Sequence, residues 1–186
     1  MKNIFFVLML IVFVACRNNS NVAEENNLPA TIKTINSLQF DSSVNKMVND
    51  YLLLKNNFIA KNDSLINFFS GELMKDADSL NFTGFETADS VVVQQAILNA
   101  QSISAEMQGL LGETTLNGKQ KSFYLLSEEM FDLLKLIRYN KQTIYRFECA
   151  GALDGSNASW LSNSAEIKNP YQTNSTCGKI TDKVVG

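Results

Sequence analysis

The helical character of this chain is clearest in residues 41–58, DSSVNKMVNDYLLLKNNF. Apolar residues recur there three and four positions apart, which places them on one face of an α-helix: Val44, Met47, Val48, Tyr51, Leu52, Leu54 and Phe58. The short polar residues 41–43 can cap the start of this helix. The stretch therefore predicts an amphipathic helix with its apolar face turned toward other elements.

Three further stretches downstream show the same apolar spacing. They predict helices that start after Asn62 and Asp63, run from about Asp89 to Gly112, and follow a turn at Asn117-Gly118. Four amphipathic helices joined by short connections favour an up-down bundle. The predicted fold class is therefore mainly α, with an up-down four-helix bundle over residues 41–141.

The composition changes after Asn140, where Gly, Ser, Asn, Thr, two Cys and the only Trp accumulate. Residues 143–147 and 178–184 have the alternation and the β-branched or aromatic content of short strands. We therefore predict that residues 142–186 form a small C-terminal cap of strands and loops. We expect this cap to belong to the same domain as the bundle.

The first forty residues have the features of an exported, lipid-anchored protein. Lys2 precedes the apolar run 4–14, which is too short to span a bilayer but suits a signal peptide. The run ends in Ala15-Cys16, which resembles the bacterial lipobox, although Phe13 replaces the usual Leu. We predict a signal peptide at 1–15, a lipidated N-terminus with a flexible tether at 16–40, and a periplasmic location on the membrane.

Several classes of function conflict with the composition. The sequence contains no histidine, which excludes Ser-His-Asp and Cys-His catalysis and histidine zinc sites. The formal net charge of −3 argues against a nucleic-acid partner. Residues 112–120 only superficially resemble a phosphate-binding loop, and the adjacent Glu128 and Glu129 point in different directions on a helix, which suggests a solvated face. We therefore expect no enzymatic activity and no catalytic residues.

Two cysteines remain when Cys16 is assigned to the lipid. Cys149 and Cys177 are an even pair in an oxidising compartment, which favours one disulfide. Closing a loop of that length stabilises a domain by about 3 to 4 kcal/mol on the chain-entropy model. The first interpretation of this pair is therefore a structural disulfide. Any other role for the two cysteines has to be weighed against it.

The C-terminal motifs resemble a known family. They are residues 145–149 (YRFEC), 160–162 (WLS), 167–171 (IKNPY) and 177–178 (CG). Together they resemble the signature of uncharacterised periplasmic helical domains, which occur as small lipoproteins and as fusions to heavy-metal efflux adaptor proteins. The helical stretches 51–56 and 121–127 extend the resemblance over about residues 43–182. The resemblance implies a helical bundle with a compact cap that takes part in copper or other soft-metal handling.

The sequence departs from that family at the places where methionines are expected. A Pro-Met pair commonly follows the first Cys, and a Met precedes the second, whereas this chain has Ala150-Gly151 and residues 174–176 (NST) there. Two reduced thiolates, Cys149 and Cys177, can still bind Cu(I) linearly. The remaining methionines sit on apolar helix faces and are predicted to fill the core: Met47, Met74, Met107 and Met130.

Two functional hypotheses follow. In the first, the protein is a non-enzymatic periplasmic lipoprotein, an accessory or sensing module of soft-metal efflux whose partner is an efflux-system protein. In the second, it binds no metal and docks on another protein through residues 160–171, with Trp160, Asn169 and Tyr171 as contact residues. Trp160 also has a structural interpretation, a plug over the bundle end whose indole N–H bonds to backbone.

Overall fold

The computed structural model describes residues 36–86, 89–172 and 176–186, which all belong to one unit, Lys33–Gly186. The predicted signal peptide, the lipid-bearing Cys16 and most of the predicted tether lie outside the described residues. Among the described residues, no helix has the length and apolar content needed to cross a membrane.

Four α-helices follow one another and form most of the described structure. Their bounds are α1 Leu38–Ala60, α2 Asp63–Asp78, α3 Ser90–Gly112 and α4 Leu116–Leu136, and a single 3₁₀ turn, Phe82–Gly84, lies between α2 and α3. Successive helices pack on one another, and their apolar faces share a core with the C-terminal residues. The prediction of a mainly helical protein is confirmed.

The starts of α2 and α3 agree with the prediction. Asn62 caps α2 by accepting a hydrogen bond from the Leu65 N–H, and Asp89 caps α3 by accepting one from the Val91 N–H. The α3 helix ends at Gly112, as predicted. These boundaries could be predicted because each depends only on neighbouring residues.

Two helix starts differ from the prediction. The α1 helix begins at Leu38 with Ser37 as its cap, so residues 38–40 of the predicted tether are helical. Phe40 is 2% exposed and stacks on Phe85, with ring centroids 5.5 Å apart. The α4 helix is capped by Thr115, which accepts a hydrogen bond from the Gly118 N–H, so the predicted turn lies in the first helical turn.

The C-terminal cap contains a three-stranded antiparallel sheet. Its strands are β1 Ile144–Leu153, β2 Ser156–Ser162 and β3 Lys179–Val184, in the order β2-β1-β3. Strands were predicted near the positions of β1 and β3, whereas β2 was missed. The β1–β2 hairpin turns through Asp154 and Gly155 at φ of 51° and 83°, values that two-residue hairpin turns require and that glycine adopts easily.

The sheet packs against α4, and β2 also contacts α1. Phe147 on β1 and Trp160 on β2 are register partners and both belong to the shared core. Methionines Met47, Met107 and Met130 are fully buried in that core, as predicted, and Met74 is partly buried against it. The cap motifs that contain Phe147 and Trp160 therefore lie where the cap meets the helices.

Candidate functional site at the junction of cap and helices

Cys149 and Cys177 form a disulfide, which confirms the structural alternative for this pair. The bond joins β1 to the residue pair that precedes β3, with Cα atoms 5.4 Å apart. Cys149 is buried, whereas Cys177 is half-buried. In this oxidised state neither sulfur is a thiolate, and the described residues contain no cluster of three or more acidic or cysteine side chains able to hold a metal ion.

Trp160 is a fully buried plug between the sheet and the C-terminal loop. Its ring stacks on Phe147 with centroids 5.3 Å apart and meets Tyr171 edge-on at 6.2 Å. Gly178 packs directly against the indole, because a Cβ there would lie 2.9 Å from the Trp160 Cη2 atom. The plug interpretation fits this burial, but the expected backbone bond is missing, since the indole N–H has no hydrogen-bond partner among the described residues.

Asn169 and Tyr171 are also buried, and both hold the cap together. The Asn169 side chain donates to the Cys177 carbonyl at 3.1 Å and accepts from the Tyr171 N–H at 2.8 Å. The Tyr171 hydroxyl donates to the Ser159 carbonyl at 2.5 Å. Because these groups and Trp160 are turned inward, their side chains do not form an exposed docking surface, and that part of the second hypothesis does not fit the structure.

A buried polar network connects α1, α4 and β2. The Tyr51 hydroxyl accepts a hydrogen bond from the Leu161 N–H at 2.9 Å and lies 2.7 Å from the Ser127 Oγ. Ser127 in turn donates to the Phe123 carbonyl at 2.7 Å. Burial raises the pKa of Tyr51 well above its usual value, so the hydroxyl stays protonated. Because Ser127 donates its own proton to the Phe123 carbonyl, the Tyr51 hydroxyl donates the hydrogen bond to the Ser127 Oγ.

Two polar side chains of α4 fasten the cap to the helices. Glu128 accepts hydrogen bonds from the Arg146 Nε and Nη2 atoms at 3.1 and 2.8 Å, and another from the Ser159 hydroxyl. Gln120 donates to the Tyr171 carbonyl at 3.2 Å. Glu128 therefore does not lie on a simple solvated face: its side chain is 35% exposed, and it bonds to Arg146 on β1 and to Ser159 on β2.

Lys55 and Ser162 form a contact that the sequence did not indicate. Lys55 is only 4% exposed, and its Nζ donates to the Ser162 Oγ at 3.3 Å. Burial, with a smaller contribution from the charge of Lys168, lowers the pKa of Lys55 to about 8. No carboxylate of the described residues forms an ion pair with Lys55, which is unusual for a buried lysine.

Comparison with protein-family models, curated proteins and solved structures finds no match for this chain. The geometry of the junction is therefore the basis on which function is argued below.

Proposed function

We propose that this chain is a non-enzymatic lipoprotein, held at the periplasmic face of a membrane through Cys16, whose cap contacts another protein. The observation that carries the proposal is the Cys149–Cys177 disulfide. It uses both thiols for structure, and disulfides of this kind persist in oxidising compartments such as the periplasm. A tethered domain whose cap is braced, and whose two cysteines in the described residues are bonded to each other, suits contact with a partner better than it suits metal transfer.

The surface proposed for that contact is the cap loop, which we define as residues 163–168. All six residues are exposed, and the residues on both sides of the loop are buried. Ile167 is 38% exposed, and Glu166 and Lys168 form an ion pair at 3.1 Å beside it. A loop with fixed ends that carries apolar and charged groups is a suitable contact element.

We also infer that α1 to α4 run alternately up and down. The connections between α1 and α2 and between α3 and α4 are short, and successive helices are in contact. Short connections between packed helices favour antiparallel neighbours. With this arrangement α1 begins at the end where the α2–α3 connection lies, in agreement with the Ser37 N–H bond to the Gly84 carbonyl at 2.8 Å.

A photo-crosslinking amino acid at Ala165 in the cap loop is expected to give a discrete protein adduct in intact cells. The matched control is the same amino acid at Gln108, an exposed residue of α3. The adduct is expected from Ala165 alone because only the cap loop contacts the partner. Adducts of equal yield from both positions, or none from Ala165, would contradict the proposed docking role, and immunoblotting after irradiation distinguishes these results.

Soft-metal handling is the second candidate function. It is supported by the resemblance of the cap motifs to domains linked with heavy-metal efflux and by the bonded sulfurs of Cys149 and Cys177, which reduction would leave close together. Two adjacent thiolates suit linear Cu(I) binding. This function therefore requires a reduced form of the cap.

An anaerobic Cu(I) competition titration of the reduced protein tests that candidate against its Cys149→Ser variant. If the cap is only a contact module, both proteins are expected to bind Cu(I) weakly and equally, because Cys149 and Cys177 then form no metal site. One tight equivalent in the reduced protein that disappears in the variant would instead assign soft-metal binding to Cys149 and Cys177.

A further inference from the structure

The three most exposed large apolar side chains of the described residues belong to Leu38, Val91 and Val185. They are 86%, 73% and 61% exposed, respectively. Leu38 is the first residue of α1, Val91 is the second residue of α3, and Val185 directly follows β3. A single exposed leucine or valine is ordinary on a protein surface. What matters here is where these three residues lie relative to one another.

A contact of the 3₁₀ turn brings the start of α1 beside the segment that leads into α3. The Ser37 N–H, directly before Leu38, donates to the Gly84 carbonyl at 2.8 Å. Gly84 is the last residue of the 3₁₀ turn, and α3 begins six positions later. Because Leu38 and Val91 are both in the first turn of their helices, they lie at the same end of the helical body.

The segment between α4 and β1, together with the end of the chain, lies at that end as well. Lys141 forms an ion pair at 2.6 Å with Asp41, which belongs to the first turn of α1. Gly186 packs on the next residue, because a Cβ there would lie 2.7 Å from the Gln142 backbone nitrogen. Val185, the neighbour of Gly186, is therefore also close to the start of α1.

The charges of this end are of both signs, and several are paired. Besides the pair of Lys141 with Asp41, Lys135 near the end of α4 contacts Asp182 on β3 at 2.9 Å. Such pairing leaves little net charge to attract an acidic or a basic partner. The exposed apolar side chains are therefore the main feature that a partner can recognise at this end.

We propose that this end of the domain, defined by Leu38, Val91 and Val185 and called the α1 end below, rests on a lipid bilayer. The proposal rests on the attachment through Cys16 proposed above. The chain that leads back to Cys16 joins the described residues at Asn36, directly before α1, which favours lipid over a second copy of the chain at this end. Apolar side chains gain free energy at the boundary between headgroups and acyl chains. Attachment raises the effective concentration of the surface, so a weak contact is enough.

Quenching by brominated lipid tests this contact in the full, lipid-bearing chain on phosphatidylcholine vesicles. A fluorescent thiol label is placed at Val91→Cys or, as the matched control, at Leu111→Cys. Leu111 is also exposed and lies on the same helix, about 30 Å from Val91. Replacing the lipid with its brominated form is expected to cause a loss of emission from the label at Val91 and to leave the label at Leu111 unchanged.

A second set of variants tests whether the apolar side chains make the contact. In the Val91-labelled protein, Leu38→Asp combined with Val185→Asp is expected to abolish the quenching. The matched control is Leu65→Asp combined with Phe68→Asp, which changes two exposed residues of α2 and is expected to preserve it. All four side chains are exposed, so the fold is expected to be kept, and Tm checks this. Adding phosphatidylglycerol is expected to leave the quenching unchanged, because the contact is apolar.

Co-flotation of the protein with the vesicles reports the attachment through Cys16 separately. Three results, each obtained with flotation intact, would overturn the proposed contact alone. They are equal quenching at the two label positions, quenching that survives the two aspartates at the α1 end, and quenching that appears only with phosphatidylglycerol. Failure of flotation would contradict the attachment and the contact together. The docking function of the cap loop is judged by its own crosslinking experiment.

Discussion

Replacing Trp160 with alanine is expected to lower the free energy of unfolding by about 3 to 5 kcal/mol. The indole is fully buried, stacks on Phe147 and fills the space between the sheet and Gly178. Its removal leaves a cavity that neighbouring rings cannot close, because the Tyr171 hydroxyl is bonded to the Ser159 carbonyl and Phe147 lies on the central strand β1. Urea unfolding followed by far-ultraviolet circular dichroism measures the loss without relying on tryptophan fluorescence.

The matched control is Trp160→Phe. This variant keeps a ring on Phe147 and removes an indole N–H that has no partner among the described residues. An unpaired buried donor costs free energy, so its removal offsets part of the lost volume. We therefore expect Trp160→Phe to be clearly more stable than Trp160→Ala. Equal losses in the two variants would mean that the indole N–H makes an important bond and that the plug is held differently.

Helices could be predicted from this sequence because their signal is repeated. In α1 the predicted apolar positions Val44, Met47 and Tyr51 are all buried. The start of α1 was missed because Ser37 lies in a stretch with the composition of a tether, although its side chain accepts a local hydrogen bond from the Phe40 N–H. Ser37 is held by a backbone bond to Gly84, a residue of the distant 3₁₀ turn, and a Cβ on Gly84 would collide with the Ser37 side chain. Nothing near Ser37 in the sequence indicates that contact.

Strand β2 was missed for a different physical reason. Alternation between apolar and polar residues identifies a strand with one exposed face. The last five residues of β2, 158–162, are all buried because the strand is covered on both sides, and two of them are serines. The first two residues are polar and exposed. Such a sequence has neither a period of two nor an apolar run, so only its pairing with β1 reveals the strand.

In the candidate site, only the disulfide could be predicted from the sequence, because that prediction needs only the number of cysteines. Two cysteines outside a predicted lipidation site suggest one disulfide, whereas Lys55 and Ser162 are 107 residues apart and look like an ordinary helix lysine and a loop serine. Glu128 is indistinguishable from Glu129 in the sequence, and only the position of Arg146 on β1 separates their roles. These contacts arise from how the cap sits on the helices, which no local pattern encodes.

Removing the disulfide is the second change with a large expected effect. The double variant Cys149→Ala with Cys177→Ala is expected to lose about 3 to 4 kcal/mol of stability, because it opens a loop with a sequence separation of 28 in the unfolded chain. Cys149 is buried, and alanine avoids placing an unpaired hydroxyl there. Urea unfolding at fixed pH, with and without reductant, measures the change.

The reductant distinguishes the covalent effect from a packing effect. If the bond itself stabilises the protein, reductant is expected to shift the natural protein toward the stability of the double variant and to leave the double variant unchanged. If the natural protein and the double variant have similar stabilities both with and without reductant, that result would contradict the stabilising role of the disulfide. The bond holds the segment that carries Gly178 against Trp160, so its loss is also expected to shift the tryptophan emission to longer wavelength at urea concentrations below the main transition.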